Sequence, residues 1–174
     1  TLHVGAGTFK PVKSYEIGNH EMHTEFISVP RRTIRILYEN EADLIVVGTT
    51  SLRTVESLYY IGKKILDNPA VRSDELLITQ WEPYEEKNPV SPKTALKAII
   101  DYLDDKKSNQ LIAATQIIIV PGSKFHYPQT LITNFHQPQS TLLLLVAAFA
   151  GKKWQEIYDY ALQNNYRFLS YGDS

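Results

Sequence analysis

Side chains alternate between two environments from His23 to Val29, with His23, Glu25, Ile27 and Val29 on one side of a strand and Thr24, Phe26 and Ser28 on the other. Pro30 suits the first turn of a helix, and RRTIRILYENE continues it to about Glu41. LIVVG, Leu44 to Gly48, is a short β-branched run with polar flanks, which predicts a buried central strand. TTSLRTVESLYYIGKKIL follows at once as a helix of about four turns.

Asn68 to Pro92 is rich in proline, acid and turn residues around one short strand, Leu76 to Thr79, with WEPYEEKNPVSP as its loop. Residues 68–108 are read as a surface excursion, although Leu96, Ile99, Ile100 and Leu103 recur at helical spacing within Lys93 to Lys107. Gln116 to Val120 predicts a second central strand, ended by PGSKF. Leu131 to Phe135 alternates as a strand, HQPQ breaks the pattern, and Ser140 with Thr141 opens an apolar helix to Ala150. Lys152 to Asn165 is amphipathic through Trp154, Ile157, Tyr158 and Ala161, and YRFLSYGDS returns as strand and then turn. The chain opens on LHVGAGTFKPV, a strand interrupted by Gly5, Ala6 and Gly7. This alternation predicts a single α/β domain over residues 1–174, a three-layer sandwich with a mixed, mostly parallel sheet.

Composition narrows the function classes. A chain of 174 residues buries one substantial core, and 18 lysines and arginines against 19 acidic residues give no overall basic field for a nucleic acid. With no cysteine there is no disulfide framework, thiolate metal site or cysteine nucleophile, which is compatible with a cytoplasmic location. The run from Leu142 to Ala150 falls far short of the ~20 apolar residues that span a bilayer, so no membrane association is expected. His3, His20, His23, His126 and His136 lack the close helical spacing of a zinc motif, and no metal is expected. The start at Thr1 and the stop at YGDS suggest a piece of something longer.

Several positions carry candidate chemistry. Ser140 is a plausible N-cap, and a helix start facing a cleft can hold an anion, with Asn134 and His136 at its mouth. Equally, Asn134 can satisfy turn backbone and His136 can be a hydrogen-bonded, partly buried histidine. Thr49, Thr50 and Ser51 gather hydroxyls and amides at a positive helix end, an anion or sugar site by geometry; helix capping explains them as completely. Arg53 and Glu56, three apart, read as neighbours there or as an exposed ion pair worth ~0.3 kcal/mol. His23 and Glu25 can be a base with its orienting partner or an edge-strand ion pair. Gly5 and Gly7 allow a bulge or a close ligand approach, but GAGTF lacks the ending of a phosphate loop. Trp81 and Tyr84 can stack on a base or pin a loop. If ligands gather at the carboxyl ends of central strands, Thr49 to Arg53 and Asn134 to Thr141 face one crevice.

HVGAGTF, MHTE, VGTTSLRTVE, TQIIIVPG, LITNFHQPQSTLLLLVAAFAG and YRFLSYGD, in this order, carry a family resemblance over nearly the whole chain. The sequence resembles the S-adenosylmethionine:tRNA ribosyltransferase-isomerases of queuosine biosynthesis. The resemblance implies the C-terminal part of that family's main domain, without its N-terminal segment and inserted β-barrel domain, and the chain alone is expected to be inactive. It implies transfer of the ribosyl unit of S-adenosylmethionine, the co-substrate, to 7-aminomethyl-7-deazaguanine at the tRNA wobble position, giving epoxyqueuosine, adenine and methionine, with no further cofactor. The alternative is a non-catalytic paralogue or a tRNA- or nucleoside-binding domain of the same fold. Mapped onto this chemistry, His23 and His136 are acid or base candidates and Glu25 orients or accepts. Thr49, Thr50 and Arg53 would bind carboxylate or ribose, with Glu56 holding Arg53. Asn134, Ser140 and Thr141 would line the same pocket, Gly5 and Gly7 would allow close approach, and Asp173 would reach it from the C-terminal end.

Overall fold

The computed structural model describes residues 17–40, 43–171 and 173–174, so the expectations placed on Gly5 and Gly7 lie outside the described residues. Strand β1, Glu25–Pro30, turns Glu25, Ile27 and Val29 inward and Phe26 outward, as its alternation requires. Helix α1, Arg31–Glu39, starts directly after Pro30 and buries Ile34. Strand β4, Gln110–Thr115, pairs antiparallel with β1 from Glu25↔Thr115 to Pro30↔Gln110. On its other side it pairs parallel with the short β3, Leu77–Ile78. A separate parallel pair joins β2, Leu44–Val47, to β5, Pro128–Ile132, with Val47 opposite Ile132.

Helices α2, Thr49–Asp67, and α3, Pro92–Asp105, form the centre of the core. Leu52, Leu58 and Ile61 of α2 pack with Leu96, Ile99 and Leu103 of α3, all nearly without solvent contact. The helices approach so closely at Gly62 that a Cβ there would lie 2.3 Å from the Ala95 carbonyl oxygen. Helix α4, Thr141–Ala150, begins at the Ser140 N-cap. With α5, Trp154–Gln163, it closes a smaller cluster of Phe135, Val146, Tyr158 and Ala161.

The architecture is α/β, and it departs from the sequence reading in several ways. Among the described residues the strands form a three-stranded mixed sheet and a two-stranded parallel one rather than one mostly parallel sheet. Residues 68–108 are not a surface excursion. Val71, Leu76, Ile78 and the apolar face of α3 are core. The proline and acid content that suggested a loop belongs to its turns, to the start of α3 and to the exposed face of that helix.

LIVV forms β2, but Ile45 and Val47 are exposed, because no further layer of the described residues covers that face. Gln116 to Val120 is buried yet is not a strand. Gln116 N and Ile118 N still donate to Ile78 O and Gln80 O, but side chains take the rest: Ile117 N donates to Thr115 Oγ1, Ile117 O accepts from Arg53, and the Tyr84 hydroxyl serves Ile118 O and Val120 N. The regular ladder falls just before it, at β4. The strand expected at Leu131 to Phe135 ends at Ile132, where Gly48 N donates to Ile132 O at 2.8 Å. Ile157 of α5 is exposed, and 166–168 form no strand; the chain then makes a 3-10 turn, Leu169–Tyr171.

Candidate functional site

His23, Glu25 and Arg53 form one connected unit. The alternation of β1 points Glu25 inward, where α2 presents Arg53, and the two side chains are 2% and 3% exposed. Arg53 Nη1 donates to Glu25 Oε1 at 3.1 Å, and its Nε donates to Ile117 O at 3.1 Å. Burial lowers the guanidinium pKa, and the Glu25 carboxylate opposes that shift. His23 Nε2 lies 3.1 Å from the same Oε1. A carboxylate oxygen only accepts, so Nε2 supplies the hydrogen of this contact, and whenever the ring is neutral Nδ1 holds the lone pair. The imidazole is 32% exposed and Nδ1 makes no hydrogen bond with the described residues, so the unit ends at its surface in this ring nitrogen.

The expected Arg53–Glu56 pair is not formed. Glu56 accepts instead from the His126 amide at 3.0 and 3.1 Å, from Tyr127 N at 3.2 Å, and approaches His126 Nδ1 at 2.8 Å. It fixes the loop that leads into β5. The His126 ring stacks on Tyr59 at 3.6 Å between centroids. The Tyr59 hydroxyl donates to Glu86 Oε1 at 3.0 Å, and Lys63 Nζ reaches the same oxygen at 2.6 Å. His126, Tyr59 and Glu86 were not singled out in the sequence, because their partners lie far along the chain.

At the start of α2 the cap is Gly48, at φ 88°, with no side-chain cap bond. The capping role read for Thr49 to Ser51 is therefore not used. Thr49 is buried, Thr50 half-buried, and the first-turn amides of α2 have no side-chain partner among the described residues. In α4, by contrast, Ser140 Oγ accepts from Leu143 N at 3.1 Å and donates to Gln137 O at 2.7 Å, so its hydroxyl is spent on its own turn. Thr141 is half-buried beside it. Because β2 and β5 run parallel, α2 and the 133–140 loop leave the same edge of that pair.

His136 is 3% exposed, its Nε2 lies 3.1 Å from Thr133 Oγ1, and its amide donates to the Tyr158 hydroxyl at 3.0 Å. Burial pushes its pKa down to about 4, the mark of a neutral histidine holding a loop. Asn134 Nδ2 donates to Leu169 O at 2.5 Å and Leu169 N to Phe135 O at 2.8 Å, so the C-terminal segment docks on this loop. Asp173 is bound to Arg167, whose amide, Nε and Nη2 all donate to its carboxylate. Trp81 and Tyr84 lie 5.5 Å apart, and Tyr84 pins its loop to Ile118. Among the described residues no cluster of three or more histidines and acids could hold a metal ion, and no helix is long and apolar enough to cross a membrane.

Comparison with known proteins adds the family. The profile of the family described as "Queuosine biosynthesis protein" matches residues 1–174. An S-adenosylmethionine:tRNA ribosyltransferase-isomerase of Rickettsia bellii (strain RML369-C) is 39% identical over the whole chain, which covers 38% of that protein. The enzyme of the same name from Francisella tularensis subsp. novicida (strain U112) is 37% identical, with 40% of it covered. The crystal structure of an S-adenosylmethionine tRNA ribosyltransferase from Thermotoga maritima superposes with a TM-score of 0.52 at 30% identity, over 86% of this chain and 39% of that one. The chain thus spans about two fifths of the length of these relatives. With the profile matched from end to end, the chain belongs to the queuosine biosynthesis protein family.

Proposed function

We propose that this chain supplies part of the active site of an S-adenosylmethionine:tRNA ribosyltransferase-isomerase. The ribosyl unit of S-adenosylmethionine is moved to 7-aminomethyl-7-deazaguanine at the tRNA wobble position, giving epoxyqueuosine with loss of adenine and methionine. S-adenosylmethionine is the co-substrate, no further cofactor takes part, and the enzyme works in the cytoplasm. The complete main domain is a three-layer sandwich around a mixed, mostly parallel sheet.

The reaction requires a base near the 5′ carbon beside the sulfonium, whose positive charge already favours loss of that proton. The observation that carries this reading is the His23–Glu25–Arg53 unit. A buried carboxylate neutralised by a buried guanidinium orients the imidazole, fixes its tautomer and stabilises the imidazolium formed when Nδ1 takes the proton. Arg53 positions Glu25 through Nη1 while its Nε holds Ile117 O, and its Nη2, without a hydrogen-bond partner among the described residues, remains a donor for the carboxylate or ribose. The uncapped amides of α2 with Thr49 and Thr50 are the other donors for the methionine carboxylate or ribose hydroxyls. His136, Asn134 and Ser140 shape the neighbouring loop.

The test is adenine release from S-adenosylmethionine by the full-length protein, with tRNA carrying the aminomethyl-deazaguanine. Release that depends on both substrates and is lost in His23→Ala supports the reading. Binding of both substrates without adenine release would make the protein a nucleoside- or tRNA-binding relative instead.

A further inference from the structure

One turn along α2 from Arg53, a cavity of about 200 Å³ opens between Glu56, Tyr60, Tyr84, Glu86, Ile117 and Phe125. It adjoins the candidate site through Ile117, whose carbonyl accepts from Arg53 Nε. The volume is below the roughly 300 Å³ at which sites begin to take drug-sized molecules, so it suits one bicyclic ring with its sugar outside.

Its polar groups are unevenly used. Glu56 is saturated by His126 and Tyr127. Glu86 Oε1 takes both Tyr59 and Lys63, whereas Oε2 makes no hydrogen bond with the described residues. Burial works to raise the Glu86 carboxyl, but the hydrogen bonds from Lys63 and Tyr59 bring it below its ordinary value, so it is a carboxylate at neutral pH. Tyr60 is only 7% exposed, and its hydroxyl has no hydrogen-bond partner among the described residues. The ring is buried but the hydroxyl oxygen itself opens to the cavity, where it can meet a group bound there.

We propose that this cavity is a base pocket that takes the purine-like ring of a reactant, with its exocyclic amine donating to Glu86 Oε2 and a ring acceptor meeting the Tyr60 hydroxyl. Tyr84 and Phe125 supply apolar and aromatic wall, which binds any planar base. Two sources share this chemistry, the adenine of the donor and the deazaguanine of the acceptor, and in that respect the inference rests on the reaction proposed above.

Equilibrium binding of three free bases to the full-length protein decides it: adenine, 7-aminomethyl-7-deazaguanine, and purine, which lacks the amine. One amino-bearing base is expected to bind at least tenfold more tightly than purine. Glu86→Gln is expected to weaken it by a further tenfold or more and Tyr60→Phe by threefold or more, each variant keeping the circular dichroism spectrum of the native protein. Preference for adenine assigns the pocket to the donor; preference for the deazaguanine assigns it to the acceptor. Equal binding of purine and both amino bases, no binding of any, or affinities untouched by Tyr60→Phe overturns the pocket. Adenine release measured on the same samples separates the two claims. Release without the base preference refutes the pocket alone, whereas the base preference without release refutes the reaction alone.

Discussion

Arg53 reaches across the core to Glu25, Nη1 to Oε1 at 3.1 Å, and neither side chain is more than 3% exposed. A pair this dry is held by mutual need, since either charge alone would be stranded. Arg53→Met is therefore expected to destabilise the fold by about 3–5 kcal/mol, and the double variant with Glu25→Gln by clearly less. Chemical denaturation of the single and double variants checks it. A double variant as unstable as the sum of the singles would show that the two residues act independently.

His23 is a third exposed and adds little to the core, so its replacement should separate chemistry from stability. His23→Ala is expected to lower turnover by ~10²-fold or more while leaving the melting temperature within a few degrees. S-adenosylmethionine affinity, measured directly, should hardly change. Equal loss of affinity and turnover would make His23 a binding residue.

For His136 the folded pKa, about 4, lies below the ordinary value of 6.5. Between these values the unfolded chain binds more protons than the native one, so stability falls as pH is lowered from 6.5 to 4 and is fully present above 6.5. The loss should be on the order of 2–3 kcal/mol. Urea midpoints across this range, in the native chain and in His136→Gln, measure it, and the variant should show a flatter profile.

Gly62 has no room for a methyl group, because its Cβ would meet the Ala95 backbone at 2.3–2.7 Å. Gly62→Ala is expected to push α2 and α3 apart and destabilise by about 1–3 kcal/mol, despite the better helix propensity of alanine. A melting temperature equal to or above that of the native chain would mean the helices separate freely.

Ser140→Ala removes the α4 cap and is expected to cost ~1 kcal/mol, whereas Ser51→Ala on the Gly48-capped α2 should cost far less. Thermal melts of the two variants side by side measure the difference.

The sequence by itself determined the faces and the kinship. The alternation in β1 put Glu25 inward and Phe26 outward, and the spacing of Leu96, Ile99 and Leu103 gave α3. Ser140 marked the start of α4, and the long motifs carried the family. Periodicity encodes which side of an element is buried, because burial repeats with the backbone. Only the tertiary structure decided which buried polar groups meet. Arg53 and Glu56 are three residues apart, yet Arg53 binds Glu25, 28 residues away, and Glu56 binds His126, 70 residues away. Near neighbours on one helix can each be drawn to a different facing element, and inside a core the need to satisfy every charge overrides the weak attraction of an adjacent pair. For the same reason Ile117 to Val120, strand-like in composition, shares its backbone between Arg53, Tyr84 and a single further bond from Ile118 N to Gln80 O, too few backbone pairs to make a strand.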